Sequence, residues 1–214
     1  MSVTQLQLYN IALRALGERS LASLTEDREP RRLLDEVWSE GYGFARAVLE
    51  QGYWSHAMRA VQLDSDASLT PAFGFQYGFS RPTDLVKLDQ ISADENFTQP
   101  LMRYEIETQY IYADVDPMYL RYVSDSASYG ADLSQWPESF SRFSAHWMAL
   151  QIAPRILAGD AILVLEKRTK MLLGEARSKE AQEQPPRFPP IGRWLSSRSR
   201  GSRLDRGKRN RLIG

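Results

Sequence analysis

The sequence of 214 residues contains no cysteine. Disulfides, thiolate nucleophiles and Cys-ligated zinc or iron–sulfur sites are thereby excluded, which suits a reducing compartment or a protein held by its core and by assembly. Histidine is scarce: His56 and His146 stand far apart, in no His-Glu-x-x-His or Glu-x-x-His pattern, so no metal site is expected. No apolar run approaches the roughly 20 residues of a membrane span. The opening 18 residues lack a basic stretch followed by an unbroken apolar one, so no signal peptide is expected either. Net charge is also missing, with 27 Lys+Arg against 27 Asp+Glu. That zero is a cancellation. From residue 185 onward, nine bases (eight of them arginine) meet one acid, Asp205, giving +8. Residues 1–184 hold 18 bases against 26 acids, giving −8. Such asymmetry marks a tail that meets something other than its own domain.

What is present is ordinary globular composition, 43% hydrophobic and 25% charged, with ample length for a core. Leu8, Ile11, Ala12, Ala15 and Leu16 share a helical stripe over 3–16, stopped by Gly17. A second, longer helix is expected over 30–51, with Pro30 in its first turn and Leu34, Val37, Trp38, Gly41, Phe44, Ala45 and Val48 on one face. From 55 to 129 the period shortens to two. Phe73, Phe75, Tyr77 and Phe79 fall on one face of an expected strand, the aromatic face of a β unit. Met102-Tyr104-Ile106, Tyr110-Tyr112 and Met118-Leu120-Tyr122 follow, linked by short polar gaps that predict an antiparallel meander. Helices resume at Trp136-Pro137-Glu138, with Pro154 expected to kink the first and Gly159-Asp160 to separate it from a last helix over 161–182.

The predicted fold class is α+β: an antiparallel helical bundle interrupted by a small antiparallel β sandwich or barrel-like insertion, with an extended C-terminal arm. The expected divisions are 1–54 and 131–184 for the bundle, 55–130 for the insertion and 185–214 for the arm. The arm is rich in Pro, Ser, Gly and Arg and too poor in apolar residues to order itself. Phe188, Ile191, Trp194 and Leu195 are spaced through its first part as anchors, among Arg193, Arg198, Arg200, Arg203, Arg206 and Arg209. Arginine with interspersed apolar residues suits a shaped protein groove, and nucleic acid is the second partner class to which the tail points.

No pattern of catalytic chemistry is present. Gly-x-Ser-x-Gly, a Walker lysine loop and Gly-x-Gly-x-x-Gly are all missing, so no catalytic residue and no cofactor is expected. His56 and His146 read as satisfied structural histidines. The acid pairs Glu26-Asp27, Asp64/Asp66 and Asp114/Asp116 lie where turns are expected.

Several strings occur in a telling order: Ala12-Leu13-Arg14-Ala15-Leu16-Gly17-Glu18 with Leu21-Ala22-Ser23-Leu24, then Gly52-Tyr53-Trp54-Ser55-His56-Ala57. After them come Phe75-x-Tyr77-x-Phe79-Ser80-Arg81-Pro82-Thr83-Asp84, Leu120-Arg121-Tyr122-Val123 and Trp136-Pro137-Glu138-Ser139-Phe140. In order and spacing the chain, over most of residues 2–182, resembles the head-to-tail adaptor (connector) family of tailed phages, of the tail tubular protein A type. The resemblance implies a virion protein of the neck, assembled in the host cytoplasm, that forms a twelvefold ring of identical subunits. Its implied partners are the portal protein above, a tail or nozzle protein below, and DNA passing without sequence specificity; no membrane is implied. It also implies that the C-terminal segment docks on the portal, although no string beyond residue 185 carries the likeness. The −8 body would then border the channel as an acidic wall that repels DNA phosphate.

Overall fold

A computed structural model describes residues 3–183 except 42, 70, 72, 73 and 99. The chain divides into two units, Met1–Gln184 and Pro185–Gly214. The arm and every anchor named in it lie outside the described residues, as does Phe73.

Helix α1, Gln5–Ala15, starts where Thr4 and Gln7 cap each other: the Gln7 N–H donates to Thr4 Oγ1 and the Thr4 N–H to Gln7 Oε1. It stops as Gly17 promised. Gly17 adopts φ +77°, the Glu18 N–H returns to the Leu13 carbonyl at 2.9 Å and the Gly17 N–H to that of Arg14 at 3.2 Å. Leu8, Ala12 and Leu16 are buried as expected, and so are Tyr9 and Leu13. The single helix expected over 30–51 is instead two, α2 (Glu29–Ser39) and α3 (Phe44–Leu49). Gly41 and Gly43 take φ +58° and +92°, left-handed values that no helix interior holds. The break lets Phe44 stack on Trp38, ring centroids 5.2 Å apart.

Helix α4, Glu138–Ile156, begins behind Pro137. Pro154 falls in its last turn and ends the helix two residues on, where the sequence suggested a kink. Helix α5, Asp160–Glu183, buries Leu165, Thr169, Leu172 and Ala176 at helical spacing, with Ile162 half-buried beside them.

The strands form two three-stranded antiparallel sheets, and the expected meander is absent. In the first, β6 (Met118–Ser124) lies between β1 (Met58–Leu63) and β3 (Leu85–Ser92). In the second, β5 (Tyr110–Ala113) lies between β2 (Tyr77–Ser80) and β4 (Tyr104–Glu107). β4 and β5 make the expected hairpin, but β6 leaves them for the other sheet. Its composition explains the move. Met118, Leu120, Tyr122 and Ser124 are buried on one face and Val123 on the other, where Tyr119 and Arg121 are half-buried, so this strand is covered along one face and on both at its C-terminal end.

Those two faces overturn the predicted fold class. Val123 joins Ala57 and the helices in one large core, together with Trp54, Phe140 and Phe143. Leu120 and Tyr122 join Phe79, Ile111 and Ala113 in a smaller cluster between the sheets. The described residues therefore form a mixed α/β structure with helices before and after two sheets, and not a helical bundle interrupted by a sandwich. The earlier expectation gave each half its own core, whereas the first sheet serves both.

The joint is tight at Gly130. Its N–H donates to the Ser124 carbonyl at 3.1 Å and its own carbonyl accepts from the Trp136 indole at 2.8 Å. A Cβ at Gly130 would collide with the Ser124 carbonyl oxygen, with Leu49 Cδ1 and with Ala57 Cβ, whereas one at Gly174 in α5 would meet nothing within 4 Å. Gly130→Ala is thus expected to destabilise by about 3 kcal/mol, since backbone cannot move aside. Gly174→Ala is expected to stabilise by about 0.5–1 kcal/mol through helix propensity. Urea unfolding of both variants checks the pair.

Candidate functional site

Of the predicted aromatic face, Phe79 is fully buried in β2 and Tyr77 is half-buried. Phe75 precedes the strand, with the Arg103 guanidinium 5.3 Å from its ring centroid. The strand begins only at Tyr77, so the row is not continuous, and Phe79 packs the inter-sheet cluster.

A dense polar constellation centres on Asp84, in the Arg81-Pro82-Thr83-Asp84 corner that ends one of the strings behind the resemblance. Asp84 Oδ2 accepts from Arg59 Nη1 at 2.7 Å and from Ser124 Oγ at 2.5 Å, while Oδ1 accepts from the Tyr122 hydroxyl at 2.9 Å. The Asp84 carbonyl accepts from the Asp125 N–H at 3.1 Å. Asp125 in turn pairs with Arg46 of α3 at 2.6 Å, and Arg46 Nη2 reaches the Leu85 carbonyl at 3.0 Å. One corner thus clasps β1, β3, β6 and α3. Burial pushes the Asp84 carboxyl up, but the hydrogen bonds from Ser124, Arg59 and Tyr122 outweigh it and hold the group below the usual carboxylate range. The Tyr122 hydroxyl is raised by burial and by Asp84. A carboxylate so saturated is a poor base and a tyrosine so raised a poor acid. The arrangement holds structure.

Trp54 and Trp136, singled out as strings, frame a second joint. Both are buried and pack on Phe140, with ring centroids 4.6 and 4.7 Å away. His56 lies in the same nest, 4.8 Å from Phe140. Neither of its ring nitrogens has a hydrogen-bond partner among the described residues, which corrects the expectation of a satisfied histidine. Burial pushes its pKa down to about 4, with nearby Glu180 opposing. Glu180, itself buried on α5, accepts from the Ser55 N–H at 2.5 Å and so ties α5 to this turn. His146 is satisfied, its Nδ1 2.9 Å from the Arg142 carbonyl.

Of the acids read as turn formers, Asp66 closes a local turn, whereas Asp114 and Asp116 bridge segments distant in sequence. Asp66 accepts from the Ser68 N–H at 2.9 Å, Asp114 from that of Gln76 at 3.1 Å, and Asp116 from that of Ser65 at 3.0 Å. Among the described residues no three His, Asp or Glu side chains gather as a metal set, and no helix is long and apolar enough to cross a membrane. Two apolar patches stand open. Met102 (87% exposed) lies just before the edge strand β4, which carries Tyr104 and Ile106, and Leu163, Val164 and Met171 lie along a flank of α5. No protein-family model matches the chain, and comparison with curated proteins finds no match.

Asp84→Asn is expected to cost about 2 kcal/mol at pH 7, because Arg59 then lacks its carboxylate. A depressed folded pKa contributes stability above the unfolded value of about 4, and that contribution is lost as pH falls through the folded value. The gap between wild type and variant should therefore narrow below pH 4 in urea titrations. His56 gives a separate window. An unfolded histidine takes its proton near pH 6.5, the folded ring near 4, so stability declines by about 3 kcal/mol as pH falls between them. His56→Phe should flatten the slope of stability between pH 7 and pH 5.

Proposed function

We propose that the chain is a structural subunit of a phage neck, a head-to-tail adaptor that assembles as a ring between portal and tail, with residues 185–214 docking on the portal. Two unlike apolar surfaces carry this reading. A closed ring needs heterologous contacts, in which one face of a subunit meets a different face of the next. Tyr104 and Ile106 on β4, with Met102 just before it, offer one such face, and Leu163, Val164 and Met171 on α5 another. Exposed apolar rows of this kind mark interaction sites.

The strings behind the resemblance support a structural role by what they do. Ala12–Glu18 closes α1, Trp54 and Trp136 form the aromatic nest, and Asp84 clasps the first sheet. Each sits at a joint between elements. The basic arm adds a second contact type, separate in sequence from both patches.

Pull-down on a portal ring encoded in the same genome tests the reading. The full chain should be retained, and a chain ending at residue 184 should be lost while keeping its thermal transition. Failure of the full chain to bind, or equal binding by the shortened one, overturns the docking role. A full chain that shifts DNA at physiological salt and ignores the portal would favour the nucleic-acid reading of the tail. Val164→Asp and Met102→Asp should each leave monomer stability within about 0.5 kcal/mol, since both side chains are exposed. Each should reduce ring assembly, read by sedimentation velocity in the presence of portal.

A further inference from the structure

We propose that the cleft between α1, α4 and α5 binds a phosphate-type oxyanion, either free or carried on a nucleic-acid backbone. The proposal stands independently of the adaptor reading. Arg14 of α1, Arg142 of α4 and Arg168 of α5 line this cleft of about 490 Å³, with His146 one turn along α4 from Arg142. Ile11, Ala15 and Leu172 supply its apolar wall. Among its lining residues Glu138 is the one acid, and it pairs with Arg142 at 3.4 Å. Arg14 and Arg168 are exposed, and neither has a carboxylate within 4 Å among the described residues.

The imbalance is what singles the place out. Residues 1–184 carry −8 in total, yet Arg14, Arg142 and Arg168 line this cleft against Glu138 as its one lining acid, while Glu175, whose carboxylate feels Arg142 and Arg168, is paired with Lys179 at 3.0 Å. Charges of one sign brought together repel, and an anion seated among them removes that cost. His146 registers the same field. Burial lowers its pKa first, and Arg168 and Arg142 lower it further, while its hydrogen bond to the Arg142 carbonyl opposes them. With Nδ1–H donating to that carbonyl, Nε2 is the nitrogen that would take up a proton once an anion arrived.

The chemistry favours phosphate over carboxylate. The three arginines belong to three separate helices, and a tetrahedral oxyanion offers acceptors in every direction to donors that do not share one plane. A carboxylate offers two oxygens in a single plane. The volume also exceeds what one small anion fills, leaving room for linked phosphates.

The two-histidine sequence makes the test selective, because ring-proton NMR of the full chain follows His146 and His56 as separate signals. Sodium tripolyphosphate, titrated at constant ionic strength, should raise the His146 pKa and leave that of His56 in place. Arg14→Gln and Arg168→Gln, both at exposed positions, should each weaken the effect roughly tenfold. A short single-stranded oligodeoxynucleotide acting at lower concentration than tripolyphosphate would assign the site to a nucleic-acid backbone; the reverse order would assign it to free polyphosphate. Either result supports the proposal. A triglutamate peptide matching tripolyphosphate, a His146 signal that no anion moves even though anions bind elsewhere on the chain, or a shift unchanged in both arginine variants would overturn it.

Discussion

The carboxylate of Asp84 is the group on which the first sheet depends. A charge withdrawn from water is tolerated only when its lone pairs are filled, and here Arg59, Tyr122 and Ser124 fill them from β1 and β6. The corner that delivers Asp84 also opens β3, so one side chain fixes the ends of three strands. At the same end of β6, Ser124 takes the Gly130 N–H, and Gly130 takes the Trp136 indole. A chain of hydrogen bonds thus runs from the sheet's polar corner to the start of α4, and the helical core is registered against the sheet through it.

Helix ends were readable because their signals are local. Gly17 and Pro137 act within a few residues of where they stand, and backbone geometry follows from their own chemistry; the Thr4–Gln7 cap is equally local and was passed over. The break between α2 and α3 was present in the sequence too, as two glycines only two residues apart. It was hidden by a helical stripe that continues across them, since Trp38 and Phe44 keep an apolar period whether the backbone bends or not. Pairing between strands was not readable in this way. The alternation at Met118-Leu120-Tyr122 marks β6 as a strand but says nothing of its neighbours, and proximity in sequence pointed to β5 where the structure uses β1 and β3.

The site residues divide along the same line. Asp84 stood only at the end of one string, because a lone acid two residues after a proline has no visible partner until Arg59 and Tyr122 arrive from strands 25 and 38 residues away. His56 looked satisfied, and its desolvation by Trp54, Trp136 and Phe140 depends on α4 folding back over the turn. Arg14, Arg142 and Arg168 carried no signal at all, being single charges on three separate helices. Their common feature is a cleft, and a cleft exists only after packing.

By itself the sequence determined the first helix with its Gly17 stop, the two helices after Trp136, the −8 and +8 halves of a neutral total, and the absence of any thiol chemistry. These are properties of composition and of neighbours along the chain. Tertiary structure alone decided that β6 is shared, that one sheet joins two apolar clusters, and which charges face one another. The physical reason is burial on both sides of a single strand. Val123 turns to the helices and Leu120 and Tyr122 to the second sheet, so the two cores cannot form apart.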